Sequence, residues 1–166
     1  MIFVTVGTHE QPFDRLIKQM DDLVAQGTIS EEVIIQTGYC NYEPKHCTWQ
    51  KLYPYKDMLR FVERARIVIT HGGPSSFIMP LQIGKIPIVV PRQVRFGEHI
   101  NNHQVEFCER VAKEQKNIIV IENTEDLKDV LHDYDERTRL MNGGLSHNND
   151  TFCRKFETIV NEVLCD

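Results

Sequence analysis

Apolar residues fall into two rhythms along this chain. In the first they form short unbroken runs: IFVTV at 2–6, VIIQ at 33–36, IVI at 67–69, IPIVV at 86–90 and IIVI at 118–121. Such runs, rich in β-branched residues and bounded by glycine or proline, predict strands buried on both faces. In the second rhythm apolar positions recur every three or four residues. Phe13, Leu16, Ile17, Met20 and Val24 predict a helix over 12–25, closed by Gly27. Met58, Leu59 and Val62 predict another over 55–65, and a third follows Pro74 over 74–83. Ile100, Phe107, Cys108 and Val111 form the stripe of a helix over 99–114. Thr124, Asp126 and Leu127 open a further helix reaching about His132. Phe152, Phe156, Ile159, Val160 and Val163 mark a final one, at about 149–164, set apart by Gly143–Gly144 and the polar run SHNND. Residues 39–50 have no period and read as loop, with something short and extended near Leu52.

Strands thus alternate with helices throughout, and five or six strands fit the length. The fold class is α/β: a parallel sheet with helices on both faces. The 166 residues suit one domain, 1–166. No repeat or low-complexity tract interrupts it.

Composition narrows the function. The formal net charge is −5, with 24 acidic against 19 basic side chains, so no nucleic-acid footprint is present. No apolar run approaches the roughly 18 residues of a membrane span. The opening MIFVTVGTHEQPFD lacks the basic start and small-residue cleavage site of a secretion signal, so a cytoplasmic protein is expected. The five cysteines, Cys40, Cys47, Cys108, Cys153 and Cys165, are scattered without a C-x-x-C pair. They read as free thiols rather than as a zinc site.

In open parallel sheets, ligands bind beyond the carboxyl ends of the strands. Three such ends carry chemistry here. After the first strand, Gly7 admits a ligand near Thr8 and His9, or serves as a turn alone. After the third predicted run stands THGGPSS, residues 70–76. Gly72 and Gly73 allow a tight turn, Pro74 starts a helix, and Ser75 and Ser76 add hydroxyls to its first turn. The free N–H groups there make an anion site with His71 beside it. The alternative is that the glycines only shape a turn and His71 is a packing residue. Neither a P-loop nor a dinucleotide fingerprint is present. The third end, VPRQVRFGEHINNHQ at 90–104, is unusually polar. Glu98, His103 and Gln104 suit hydrogen bonding to a polyhydroxyl substrate; a solvated loop is the plainer reading. His99 and His103 stand four apart, but no third metal ligand is placed and no metal is expected. Asp14 could touch a ligand or simply favour the start of the first helix.

Together these residues carry a resemblance. A strand, the His-Gly-Gly turn, a helix, GKIPIVVP and a downstream HQ are similar to the donor-binding half of family 28 glycosyltransferases. That family includes the enzyme that adds N-acetylglucosamine to the lipid-linked peptidoglycan precursor. The opening VTVGT…PFDRLI resembles stand-alone versions of that half. These are the catalytic subunit of the two-part enzyme acting on dolichol-linked sugar, and bacterial counterparts in exopolysaccharide and capsule synthesis. The stretch ITHGGPSSF…PLQIGKIPIVVPRQVRFGEHINNHQVEF looks most like the bacterial members. Strong motifs run from residue 2 to about 115.

The resemblance implies a Rossmann-like sheet equivalent to the C-terminal half of a GT-B enzyme, and a UDP-sugar donor with no cofactor or metal. Gly7, Thr8, His71, Gly72, Gly73, Ser75 and Ser76 would lie at the donor diphosphate. Glu98, His103 and Gln104 would lie near the sugar or ribose. It implies an inverting hexosyl transfer to a lipid-linked saccharide bound by a membrane-anchored partner chain, which would recruit this one to the cytoplasmic face; a homodimer forming a substitute cleft is the other arrangement. His9 is the local candidate for the catalytic base. One departure stands out. Relatives carry a glutamate for the ribose hydroxyls where this chain has Met79, and a thioether cannot hold two hydroxyls as a carboxylate can. A non-catalytic partner that kept the fold, or an epimerase-like UDP-sugar enzyme, are the competing expectations.

Overall fold

The computed structural model describes residues 1–144 and 149–164, with no side-chain detail for 149–151 and 162–164. Each apolar run becomes a strand because both of its faces find a helical cover. In β1 (Ile2–Thr5), Ile2 and Val4 face one way and Phe3 the other. The same alternation separates Ile67 and Ile69 from Val68 in β4 (Ile67–His71), and Ile88 and Val90 from Val89 in β5 (Ile88–Val90). One face packs on α1 (Asp14–Ala25) and α5 (Leu127–His132), through Phe13, Leu16, Ile17, Met20, Leu127 and Leu131. The other packs on α2 (Tyr55–Arg64) through Phe61, Val62 and Ala65. It also packs on α3 (Pro74–Gln82) and α4 (His103–Gln115) through Phe77, Leu81 and Cys108. Burying these side chains, at about 25 cal/mol per Å² of apolar surface, is what orders the strands.

With β2 (Val33–Gln36), β3 (Thr48–Gln50) and β6 (Ile119–Val120), the sheet has six strands, all parallel, in the order β3-β2-β1-β4-β5-β6. The expected α/β class with helices on both faces is therefore observed. The motif GKIP has a structural use. Lys85 donates through Nζ to the carbonyls of Val62 (2.8 Å), Glu63 (2.5 Å) and Ala65 (2.5 Å), closing the C-terminal end of α2.

Several boundaries differ from the sequence expectations. β3 lies within the stretch read as loop, just ahead of Leu52. It is a three-residue edge strand held by parallel pairing with Ile34–Gln36, and Trp49 anchors it by donating from Nε1 to the Pro44 carbonyl at 3.0 Å. The segment before it is pinned to α1 by two carboxylates. Asp14 accepts from the N–H groups of Asn41 and Tyr42, and the buried Asp21 accepts from those of Lys45 and His46 and from the Tyr42 hydroxyl. Burial works to raise the Asp21 pKa, but the backbone N–H groups and the hydroxyl outweigh it and hold the carboxylate below its usual range.

The helix expected over 99–114 begins only at His103. Before it, a 3-10 turn at Val94–Phe96 ends on Gly97 in the left-handed region, φ +69°. Asn101 Oδ1 then accepts from His103 N–H, a backbone donor that a helix from 99 would use, while Asn102 Oδ1 accepts from Val94 N–H and fixes the preceding turn. Ile100 is consequently 78% exposed and lies off the apolar stripe. The helix expected from Thr124 is a 3-10 turn, Thr124–Asp126, leading into α5. A short α6 (Tyr134–Thr138), not anticipated, follows; its Tyr134 hydroxyl donates to the Ile86 carbonyl at 2.6 Å. The last helix, α7 (Asn149–Leu164), has the expected span and exposes Phe152, Phe156 and Ile159. Leu145 to Asn148, within the polar separator, and Cys165 lie outside the described residues.

Candidate functional site

From β1 the chain passes to β2 on one side of the sheet, while β4 takes the other. The connections leaving β1 and β4 therefore diverge, and a crevice opens between them at the carboxyl ends of the strands. It is a cleft of about 390 Å³. Gly7, Thr8 and His9 form one wall; His71, Ser75, Ser76 and Met79 form the other. Thr5 and Gln36 lie at its base, with Phe3, Met58 and Val62 as apolar backing.

The two walls meet on one imidazole. His71, at the end of β4, is 8% exposed. A Cβ on Gly7 would stand 2.4 Å from its Cε1, and a Cβ on Gly73 2.3 Å from its Nε2. Gly7 also has φ +74°, which side chains disfavour; Gly73 has φ −78° and is glycine only for lack of room. Gly72 is crowded in turn by Cys108 Sγ and by Gln104. Burial, and the nearby Arg92 charge, push the His71 pKa down to about 4, so the ring is neutral at neutral pH. Its Nδ1 makes no hydrogen bond of good geometry, although the Thr5 backbone lies close enough to favour protonation slightly.

Beyond this ring α3 begins with Gly73 as N-cap and Pro74 at the first position. No side chain caps it. Among the described residues the hydroxyls of Ser75 and Ser76 have no hydrogen-bond partner. The helix dipole and these groups face the cleft and favour an anion there. Opposite, the ring of His9 is half-buried, and its Nδ1 accepts the N–H of Gln11 at 3.2 Å. Burial, Arg92 and His99 lower the His9 pKa, with only Glu10 pulling the other way.

The polar stretch after β5 behaves differently. Arg92 is 1% exposed, and among the described residues no carboxylate forms an ion pair with it. Its Nη1 donates to the carbonyls of Gln11 (2.7 Å), Pro12 (3.4 Å) and Glu98 (3.2 Å), and its Nη2 to that of Val6 (3.0 Å). The guanidinium also lies 4.9 Å from the Phe13 ring centroid. It ties the loop after β1 to the loop after β5. Glu98 is 3% exposed and held by Arg15 in a two-point pair of 2.9 and 3.0 Å, while also accepting from Gln93 N–H. Gln104 Oε1 accepts from the Arg92 N–H at 3.1 Å. The exposed His103 stacks on Phe107.

Six of the residues expected at a ligand, Gly7, Thr8, His9, His71, Ser75 and Ser76, line the cleft, and Gly72 and Gly73 shape the turn beside it. Glu98, His103 and Gln104 do not line it. The carboxylate of Glu98, expected near the sugar or ribose, is instead engaged by Arg15 and by the N–H of Gln93 in this structure. Asp14 holds the 41–42 backbone. Sequence reasoning missed Gln36, whose Nε2 donates to Thr5 Oγ1 and whose Oε1 accepts from Tyr53 N–H. The signal was a polar residue closing the apolar run VIIQ. Cys40, Cys47 and Cys108 are pushed up to about 11, 12 and 12 by burial, which keeps them as inert thiols. Among the described residues, no cluster of three or more His, Cys, Asp or Glu is placed for a metal ion. None of the described helices is long and apolar enough to cross a membrane.

A six-stranded parallel sheet in this order, with a cleft at the point where the strand order reverses, defines a Rossmann-like class of domain. The sequence profile of the glycosyltransferase family 28 C-terminal domain matches residues 1–142, and the chain belongs to that family. It is 32% identical over 122 residues to the human "UDP-N-acetylglucosamine transferase subunit ALG13", and 31% over 121 residues to the mouse protein of the same name. Each match covers 68% of this chain and 10% of the relative, so the chain matches about a tenth of the length of these curated relatives. Among solved structures it resembles MurG of Acinetobacter baumannii, with a TM-score of 0.55 and 16% identity over 83% of this chain and 42% of that one. It also resembles the glycosyltransferase SnogD of Streptomyces nogalater, with a TM-score of 0.53 and 18% identity over 82% of this chain and 36% of that one. At these identities the likeness concerns the fold. The domain is equivalent to the C-terminal half of a GT-B glycosyltransferase.

Proposed function

We propose that this chain is the donor-binding, catalytic subunit of an inverting hexosyltransferase. It takes a UDP-sugar in the β1–β4 cleft and works with a membrane-associated partner that presents a lipid-linked saccharide. The observation that carries the reading is the cleft itself. It joins the glycine-lined turn after β1 to the uncapped N-terminus of α3, in a chain of family 28. The relatives named as subunits of a UDP-N-acetylglucosamine transferase support both the UDP-sugar and the need for a second chain. The bacterial look of RFGEHINNHQ, residues 95–104, favours exopolysaccharide or capsule assembly as the setting.

In the reaction, the acceptor hydroxyl oxygen bonds to C1 of the sugar on the face opposite the diphosphate. The bond between C1 and the β-phosphate oxygen breaks, and its electron pair stays on departing UDP. The hydroxyl proton passes to a base brought by the acceptor-binding partner. This chain's contribution is to stabilise charge growing on the diphosphate, through the α3 N-terminus and the hydroxyls of Ser75 and Ser76. No metal is required by that arrangement.

Met79 in the cleft wall favours a second reading, a partner that kept the fold without catalysis. Titrating the 15N-labelled chain with UDP tests the first. Amide shifts centred on 7–9 and 71–76 are expected, and they should be lost in Gly73→Val. Absence of any shift at millimolar UDP, with and without the candidate partner, would sink the donor-binding reading.

A further inference from the structure

Resting on that reading, we propose that His9 serves the cleft as a hydrogen-bond donor, presenting Nε2–H to the oxygens of a bound diphosphate, and is not the base that deprotonates the acceptor. A neutral imidazole carries one proton and one lone pair. In His9 the backbone N–H of Gln11 points at Nδ1, at 3.2 Å, so the lone pair lies there and the proton lies on Nε2. A base needs its lone pair toward the substrate. Here that pair is tied back to the loop that carries the residue, and only an N–H is left for the cleft.

The surroundings agree. The His9 and His99 rings stand 5.1 Å apart, and His99 shows the same pattern, with Nδ1 accepting the N–H of Asn101 at 3.4 Å. Two imidazoles on adjacent loops are thus both set with Nε2 as donor. The charged and titratable groups acting on His9 are Arg92, His99 and Glu10; His71, across the cleft, couples to it weakly. Arg92 and a protonated His99 repel a proton on His9, and Glu10 alone favours it. An anion in the cleft reverses that balance. The donor therefore becomes stronger when the diphosphate is bound, and stronger still as charge collects on it during departure.

The sign of the pH dependence follows. The free ring titrates below its ordinary value. A bound diphosphate raises it. Binding then takes up a proton, and the extra affinity is fully present below the free-state pKa and disappears as pH rises through the bound-state pKa. UDP loses charge of its own below about pH 6, so the measure is the difference between wild type and His9→Gln.

The first test needs no variant. In the full chain with 15N-labelled histidine, at pH 8, the ring couplings of His9 should show Nε2 protonated and Nδ1 bare. UDP should then raise the His9 pKa by about one unit. At pH 8, His9→Gln, which keeps an N–H donor, should bind UDP within about twofold of wild type, and His9→Leu about fivefold more weakly. A proton on Nδ1 overturns the proposal. So does UDP that binds through 71–76 while the His9 pKa stays still or falls, a result that leaves the donor-binding reading standing. No UDP binding by wild type overturns both.

Discussion

Two polar segments leave neighbouring strands at the same end of the sheet, and they use their polar atoms in opposite directions. After β4, His71 to Ser76 turns under glycines and opens a helix without a side-chain cap, leaving two hydroxyls uncommitted beside the cleft. After β5, Arg92 to Gln104 contains more charge, yet Arg92 and Glu98 are buried and spent inward, leaving Arg95 as the exposed full charge of the segment. Arg92 holds four carbonyls, Glu98 holds Arg15 and Gln93, and Gln104 holds the backbone of Arg92. A polar residue at a strand end is thus evidence of hydrogen bonding but not of its direction. The less charged segment is the one open to a ligand, and the more charged one is its scaffold.

Removing the scaffold should show the difference most strongly. Arg92→Met deletes the donors of the Val6, Gln11, Pro12 and Glu98 carbonyls in a buried setting. We expect a loss of about 3 kcal/mol or more in denaturant unfolding. Arg92→Lys should recover only part, because one ammonium cannot reach carbonyls fanned around a planar guanidinium. A variant that unfolds like wild type would mean the loop after β5 is not a scaffold.

The open segment has its own internal constraint, the fit of two glycines around His71. Gly73→Ala should cost about 2 kcal/mol, from overpacking alone. In a His71→Ala background, where the ring is gone, the same change should be nearly neutral, giving a large coupling in a double-mutant cycle. The ring also makes an acid-sensitive contribution. With a folded-state pKa of about 4 against an ordinary 6.5, the folded chain binds fewer protons than the unfolded one between those values. Stability is therefore full above about 6.5 and falls as pH drops toward 4, by up to about 3 kcal/mol. His71→Ala should lose that component of the slope.

What the sequence made legible follows from how local each cause is. The strands were readable because burial on both faces leaves unbroken apolar runs. β3 was not, because a three-residue edge strand with exposed Thr48 and Gln50 has no pattern to display. The glycine turn was readable as a turn; in the structure His71 packs between Gly7 and Gly73 and also lines the cleft, so a packing role does not take the ring out of the cleft. The fate of Glu98 was not readable. Its partner Arg15 is 83 residues away, and only the folded sheet brings them together. The delayed start of α4 lay in the Asn101 side chain competing for backbone, which an apolar stripe cannot report.

Glu98 sharpens the comparison from the scaffold side. Glu98→Gln breaks the two-point pair with Arg15 while keeping the volume. About 1–2 kcal/mol of stability should be lost. UDP affinity, read by amide shifts or calorimetry, should change less than about twofold. A tenfold loss of affinity without loss of stability would return Glu98 to the ligand and erase the contrast.

The smallest effect concerns the one apolar member of the wall opposite His9. Met79 is half-buried and packs against the cluster around Phe3 and Val62 while lining the cleft. Met79→Glu gives up some of that packing, at a cost of no more than about 1 kcal/mol. In return it places a carboxylate where the family resemblance puts the acceptor for ribose hydroxyls. UDP affinity should then rise about fivefold, close to 1 kcal/mol. The informative control is inorganic pyrophosphate, which has no ribose and should gain nothing, or lose affinity to the added charge. A gain for UDP alone would locate the ribose beside α3 and the diphosphate between α3 and the turn after β1. Equal effects on both would mean that the carboxylate acts only through its charge, and that the nucleoside lies against the scaffold side of the cleft instead.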